Sequence, residues 1–412
     1  MNWVSYIFLT ALGLSIVVQL WLDNRHIRHV RQHRNAVPEA FKESINLEAH
    51  QKAADYTLAK VNNGFFDMVI STVLLLFWTL GGGLEWLDGN VRSFALSPIY
   101  TGLLVILCLM LISGIVDLPM SLYRTFILEQ RFGFNRMTLG LFIADIFKNL
   151  IVSLIIGAPL IWVVLWLMED ANPFWWVYVW AVWMGFSLLM MWAWPAFIAP
   201  IFNKFEPLED ASLKQRIEDL LQRCGFKSNG VFVMDGSKRS SHGNAYFSGL
   251  GANKRIVFFD TLLKSLKEDE VEAVLAHELG HFKRKHIQKR IVSMAIFSLV
   301  GLAILAWLLN LPDFFTGLGV SQPSTYIGLI LFMMVLPLFN LYLHPLMSYF
   351  SRKHEFEADD YAAKQSDANY LISALVKLYE ENANTLTPDP IYSAFHDSHP
   401  PAPVRIAHLA KA

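Results

Sequence analysis

Cysteine is nearly absent from this 412-residue chain, charge is sparse, and neither sign of charge dominates. The two cysteines, Cys108 and Cys224, lie in an apolar run and an amphipathic segment, which excludes a disulfide framework and a thiolate metal site. Charged residues make up only 17% of the chain and the formal net charge is −1, so nothing in the composition points to nucleic-acid binding. A basic n-region and a small-residue cleavage site are also missing from the N-terminus, so the first apolar run is a retained span and not a signal peptide. What is abundant is apolar. With 54% hydrophobic residues, 30 Phe and 13 Trp, the composition is that of a membrane protein.

Seven runs are long and apolar enough to cross about 30 Å of hydrocarbon, which takes about 20 residues. They are Trp3–Leu22, Phe65–Leu87, Tyr100–Met120, Leu150–Met168, Phe174–Trp194, Ile291–Asn310 and Tyr326–Tyr349. Asp67, Asp117, Pro159, Pro195, Pro337, Asn340, His344 and Pro345 interrupt them, and polar groups in spans face a bundle interior or a water-filled cavity. Basic residues alternate along the connecting segments. Arg25 to Lys60 follow the first span, and Arg124, Arg131 and Arg136 the third; none lies in Glu169–Pro173 or Leu311–Thr325. That bias places the N-terminus outside and the C-terminus in the cytoplasm. The chain therefore divides into spans one to five (1–200), a cytoplasmic segment (201–290), spans six and seven (291–350) and a cytoplasmic C-terminal segment (351–412).

The chemistry centres on His277-Glu278-Leu279-Gly280-His281, within the helical pattern Val271–His286. Ser265 and Glu268 have the spacing of a capping box for that helix. His277 and His281 lie one turn apart on one face, where two imidazoles reach one metal, and Glu278 sits beside them to take a proton from metal-bound water. A catalytic zinc needs a third protein ligand. Glu355 is the candidate, with Asp359 on the same helical face to accept a hydrogen bond from a ligand histidine. Taken alone, Arg352–Asp360 would read as a charged helix facing water. Glu357, His354 and Asp360 fall off the Glu355 face, and His286 reads as a polar helix end. Two spans separate the His277 and Glu355 segments, so both return to the same side of the membrane.

Between these landmarks, Leu213, Ile217, Leu220 and Leu221 predict an amphipathic helix ending near Gly225. Val231–Gly236, Asn244–Leu250 and Arg255–Asp260 predict three strands, with a turn at Gly251–Lys254. The edge of such a sheet can hold an extended peptide by main-chain hydrogen bonds, or it can simply support the helix. Near the C-terminus, His399 and Arg405 can donate to a developing oxyanion or serve as a surface cap.

The H-E-x-x-H, Glu355-Phe356-Glu357-Ala358-Asp359 after Ser351-Arg352, and Asn244-Ala245-Tyr246-Phe247 together resemble the type I CAAX prenyl protease family. Phe132–Asn135, Pro200–Phe205, and His399-Pro400-Pro401 with Arg405 extend the resemblance over most of the chain. It implies a predominantly α, polytopic fold, with seven spans enclosing a chamber and a small β-sheet and zincin-like helices on the cytoplasmic side. It implies one Zn²⁺ held by His277, His281 and Glu355, with Glu278 as general base. Asp359, His399 and Arg405 would support the site or transition state, and Asn244, Ala245 and Tyr246 would hold substrate. The expected partners are a peptide or protein substrate, prenylated in the family's named activity, and the lipid membrane, with no nucleic acid; the oligomeric state stays open, a monomer being compatible. Chain length and the Ala410-Lys411-Ala412 end suggest a bacterial inner membrane, or the endoplasmic reticulum in a eukaryote, and a substrate range reaching beyond prenylated proteins to damaged membrane proteins. A rival reading is a transporter with a cytoplasmic metal site, which has no use for the free Glu278.

Overall fold

The computed structural model describes residues 1–170, 172–248 and 255–411. Among these, seven helical segments are long and apolar enough to cross a membrane. Helix α1 (Trp3–His33) starts where the Asn2 side chain accepts from the Val4 and Ser5 N–H groups. Helix α2 (Leu47–Trp78) begins well before the apolar run and stops before Leu87. Its C-cap is Thr79, and Gly82, at φ 75° in the left-handed region, is the N-cap from which α3 (Gly83–Arg92) starts as a separate helix. Helix α4 (Pro98–Tyr123) runs into a π-helical turn, Arg124–Glu129. There Arg124 pairs with Asp67 and Asp117 at 3.1 and 3.0 Å, so the carboxylates interrupting spans two and three share one guanidinium. Helices α5 (Leu139–Glu169) and α6 (Trp175–Ala193) follow, and a second π-helical turn containing Pro195 leads into α7 (Ala199–Phe202).

Next comes a four-stranded sheet. Strand β1 (Phe205–Pro207), absent from the sequence reading, precedes helix α8 (Ala211–Arg223). Strands β2 (Val231–Met234), β3 (Ala245–Ser248) and β4 (Arg255–Phe259) complete it in the order β1-β2-β4-β3, with β2 parallel to β4 and the other pairs antiparallel. That order leaves β3 on an edge. The predicted end of this strand at Gly249–Leu250 and the turn at Gly251–Lys254 lie outside the described residues.

Helix α9 (Asp260–Ser265) ends at the residue expected to cap the next helix; the Ser265 hydroxyl donates to the Leu262 carbonyl instead. Helix α10 (Glu268–Lys283) is capped by Glu270, whose carboxylate accepts from the Lys267 N–H at 2.7 Å. Helices α11 (His286–Leu308), α12 (Pro312–Gly317) and α13 (Thr325–Asn340) return the chain across the membrane. The last apolar run is two helices. A 3₁₀ turn, Leu341–Leu343, separates α13 from α14 (His344–Gln365), whose first turn holds Pro345, where a missing N–H costs nothing. Helices α15 (Ala368–Glu381), α16 (Pro390–His396) and α17 (Ala402–Leu409) close the fold.

Two main cores result. One packs Phe8, Trp78, Leu84, Phe314 and Tyr326 where α1, α2, α3, α12 and α13 meet. The other packs Ile217, Leu220, Phe258, Leu275 and Leu375 between α8, the sheet, α10 and α15. The second core carries the site.

Candidate active site

The site begins with a close helix crossing. A Cβ added at Gly280 of α10 would stand 2.8 Å from the Ala358 Cα of α14, so glycine is what lets the two backbones approach. His277 and His281 lie three residues before and one after Gly280. Glu355 and Asp359 lie three before and one after Ala358. One crossing therefore brings all four side chains together.

Their donor atoms fit a metal ion. His277 Nε2 and His281 Nε2 are 3.3 Å apart; His277 Nε2 lies 3.4 Å from Glu355 Oε2, and His281 Nε2 lies 3.4 Å from Glu355 Oε1. Corners of a tetrahedron with arms of about 2.0–2.1 Å, the zinc–nitrogen and zinc–oxygen distances, are separated by about 3.3–3.4 Å. Glu355 is buried, and its Oε2 accepts no hydrogen bond among the described residues. A buried carboxylate oxygen without a donor is costly unless a cation completes it. Burial, then the neighbouring His277, pushes His281 down to about 3, which keeps its imidazole neutral and its lone pair free for a metal.

Further groups surround these three. Asp359, fully buried, lies 2.8 Å from His277 Nδ1, where it accepts that N–H and leaves Nε2 for the metal. Arg405, also buried, donates to both Asp359 oxygens at 2.9 and 2.5 Å. It stands 3.7 Å from Glu355. It is thus built into the site and is not a surface cap. His399 is largely exposed, with Nε2 3.4 Å from Glu355 Oε1. Burial pushes the Glu278 carboxyl up, and the Glu355 charge adds to this against the pull of His277.

A cavity of about 830 Å³ joins the site to the first two spans. Asn244, Ala245, His277, Glu278, Glu355, His399 and Arg405 line it on one side, and Asp23 and His26 of α1 with Lys60 of α2 on the other. Tyr246 is not brought to this cavity. It lines a second one of about 780 Å³, with Met190, Trp194, Phe247 and Phe282.

Residues 26–204 match the family model described as CAAX prenyl protease N-terminal, five membrane helices, and residues 207–412 match that of peptidase family M48. The chain belongs to peptidase family M48. The "CAAX prenyl protease 1 homolog" of Arabidopsis thaliana is 37% identical over 409 residues, covering 96% of each chain. The "CAAX prenyl protease 1" of Saccharomyces cerevisiae is 35% identical over 400 residues, covering 90% of this chain and 88% of that one. The fold matches the "Crystal Structure of S. mikatae Ste24p" with a TM-score of 0.90, 32% identity and 99% coverage of both chains. This M48 peptidase is accordingly a multi-pass membrane zinc metallopeptidase, and the transporter reading falls.

Several residues that build the M48 site escaped the sequence reading. Gly280 carried a signal, since a glycine inside a helical pattern usually has a packing reason. Arg352 does not face water: its guanidinium donates to the Ser393, Ala394 and Asp397 carbonyls, holding the turn that leads to His399. Asn382, at the end of α15, accepts from the Gly243 N–H at 3.1 Å and so ties down the loop entering β3. His286 is no idle helix end; it is buried, with Nδ1 2.9 Å from His281 Nδ1.

Proposed function

We propose that this peptidase cleaves peptide bonds near the C-terminus of CAAX-type prenylated substrates, with His277, His281 and Glu355 holding the zinc. The observation carrying this is that two imidazole nitrogens and the Glu355 carboxylate face one another at 3.3–3.4 Å, with Glu278 beside them in the cavity wall. The prenylated substrate class comes from the names of relatives that align over nearly the full chain. When bound, zinc supplies Lewis acidity for a carbonyl and lowers the pKa of water. Glu278 takes the proton from the attacking water and returns it to the leaving amine; its upward shift brings it closer to the working pH of a general base. Asp359 fixes His277, and Arg405 fixes Asp359. His399 and Arg405 present donors where the oxyanion develops. Asn244 and Ala245, at the edge strand facing the cavity, hold the substrate backbone, and Tyr246 flanks them from the second cavity. The basic loops after spans one and three favour a cytoplasmic zinc site.

Hydrolysis of a C-terminal CAAX peptide, with and without farnesyl on its Cys, tests the substrate. Faster cleavage of the farnesylated peptide is expected. Equal rates would replace this reading with a broader membrane-protein protease that needs no prenyl group.

A further inference from the structure

We infer that His286, backed by Glu357, is a positioning residue that fixes His281 as a metal ligand, as Asp359 does for His277. The inference rests on the ligand assignment just proposed. His286 opens α11 immediately after Lys285, which adopts φ 58° in the left-handed region, so the chain turns sharply and folds the imidazole back under α10. The ring is 5% exposed and stacks on His354 of α14, with centroids 4.0 Å apart and planes 16° from parallel. Its Nε2 lies 3.1 Å from Glu357 Oε2, and its Nδ1 lies 2.9 Å from His281 Nδ1. Lys289 stands 3.7 Å from the same Glu357 oxygen.

Hydrogen-bond chemistry gives this chain of groups a direction. An ionised carboxylate only accepts, so Nε2 of His286 carries the hydrogen. The neutral ring then presents a bare Nδ1, to which His281 Nδ1–H must donate. That leaves the His281 lone pair on Nε2, the atom 3.3–3.4 Å from His277 and Glu355. Each imidazole of the site is therefore held in its metal-binding tautomer by its own partner. His277 uses a carboxylate directly, and His281 uses a second imidazole oriented by a carboxylate. Glu357 and His354, off the metal-facing side of α14, are where this second arm attaches.

The test is the zinc dissociation constant of the full-length protein in detergent, measured by chelator competition, for His286→Leu, His286→Asn and Glu357→Gln. His286→Leu should weaken zinc about 10–100-fold, the usual cost of removing such a partner. His286→Asn places an amide oxygen near the Nδ1 position and should stay within a few-fold of wild type. Glu357→Gln should give a smaller loss, and none in the His286→Leu background. Zinc affinity of His286→Leu equal to wild type, a His286→Asn as weak as Leu, or losses that multiply in the double variant would each overturn the inference. Asn and Gln variants retain polar partners, so they remain informative if the Leu variant does not fold. His281→Ala measured alongside separates the two failures: retained zinc there refutes the ligand assignment itself, whereas lost zinc there with intact His286→Leu binding refutes only His286.

Discussion

The catalytic half and the membrane half of this chain solve opposite solvation problems. On α5, Phe147 and Ile155 are 60% and 68% exposed, outward-facing apolar groups that suit hydrocarbon. Around α10 and α14, Glu355, Asp359, His277 and Arg405 are all under 10% exposed, polar groups turned inward and matched to one another. Glycine shows the same contrast: Gly280 is pressed against a neighbouring backbone, while a Cβ at Gly157 of α5 would meet nothing within 4 Å. The spans need length and an apolar surface, and many sequences supply those. The site needs particular atoms at particular separations, and single substitutions should break it.

The largest effect should come from chemistry alone. Glu278→Gln is expected to lower kcat about 10²–10⁴-fold while fold and zinc content stay intact, as read by peptide hydrolysis and metal analysis. Core truncation comes next. Leu275→Ala, at 1% exposure, should cost about 2–5 kcal/mol, whereas Ile155→Ala should change stability by less than about 0.5 kcal/mol in detergent unfolding. Gly280→Ala should cost about 1–3 kcal/mol and weaken zinc binding by forcing α10 and α14 apart. Gly157→Ala should be neutral or slightly stabilising.

A pH-dependent effect of similar size to that of Gly280→Ala concerns Glu270, which anchors α10 to α15 by accepting from Ser373 and Lys377 at 2.7 Å each as well as capping α10. Burial would raise its carboxyl, but Lys377, the Lys267 N–H and Ser373 together hold it below the ordinary 4.5. A lowered native pKa gives stability that is present above the ordinary value and lost as pH falls through the native one. Glu270→Ala should therefore destabilise by about 1–3 kcal/mol near neutrality, with the gap to wild type closing below pH 4.5. A gap that stays constant into acid would assign the loss to packing.

Much of this contrast was legible beforehand, because apolar length and helical spacing are local properties. Seven spans, three of the four strands and the pairing of His277 with His281 follow from periodicity, and Glu355 with Asp359 from the need for a third ligand. Tertiary geometry was not legible. Nothing local to Gly81-Gly82-Gly83 says which glycine turns left-handed and starts α3. The Ser265 capping box had the right spacing, yet Ser265 closes α9 and Glu270 does the capping. β1 is three residues long and exists through its pairing with β2. Arg352, Asn382 and His286 act on groups 30 or more residues away or across a sharp turn, beyond any short-range pattern.

The central claim is that one crossing, Gly280 over Ala358, assembles a three-ligand zinc site beside a free general base. Zinc stoichiometry and affinity of His277→Ala, His281→Ala, Glu355→Ala and Glu278→Gln test it most directly. The account predicts that the three alanine variants lose zinc and that Glu278→Gln binds it like wild type. An alanine variant with wild-type affinity, or a Glu278→Gln that cannot hold zinc, would contradict it.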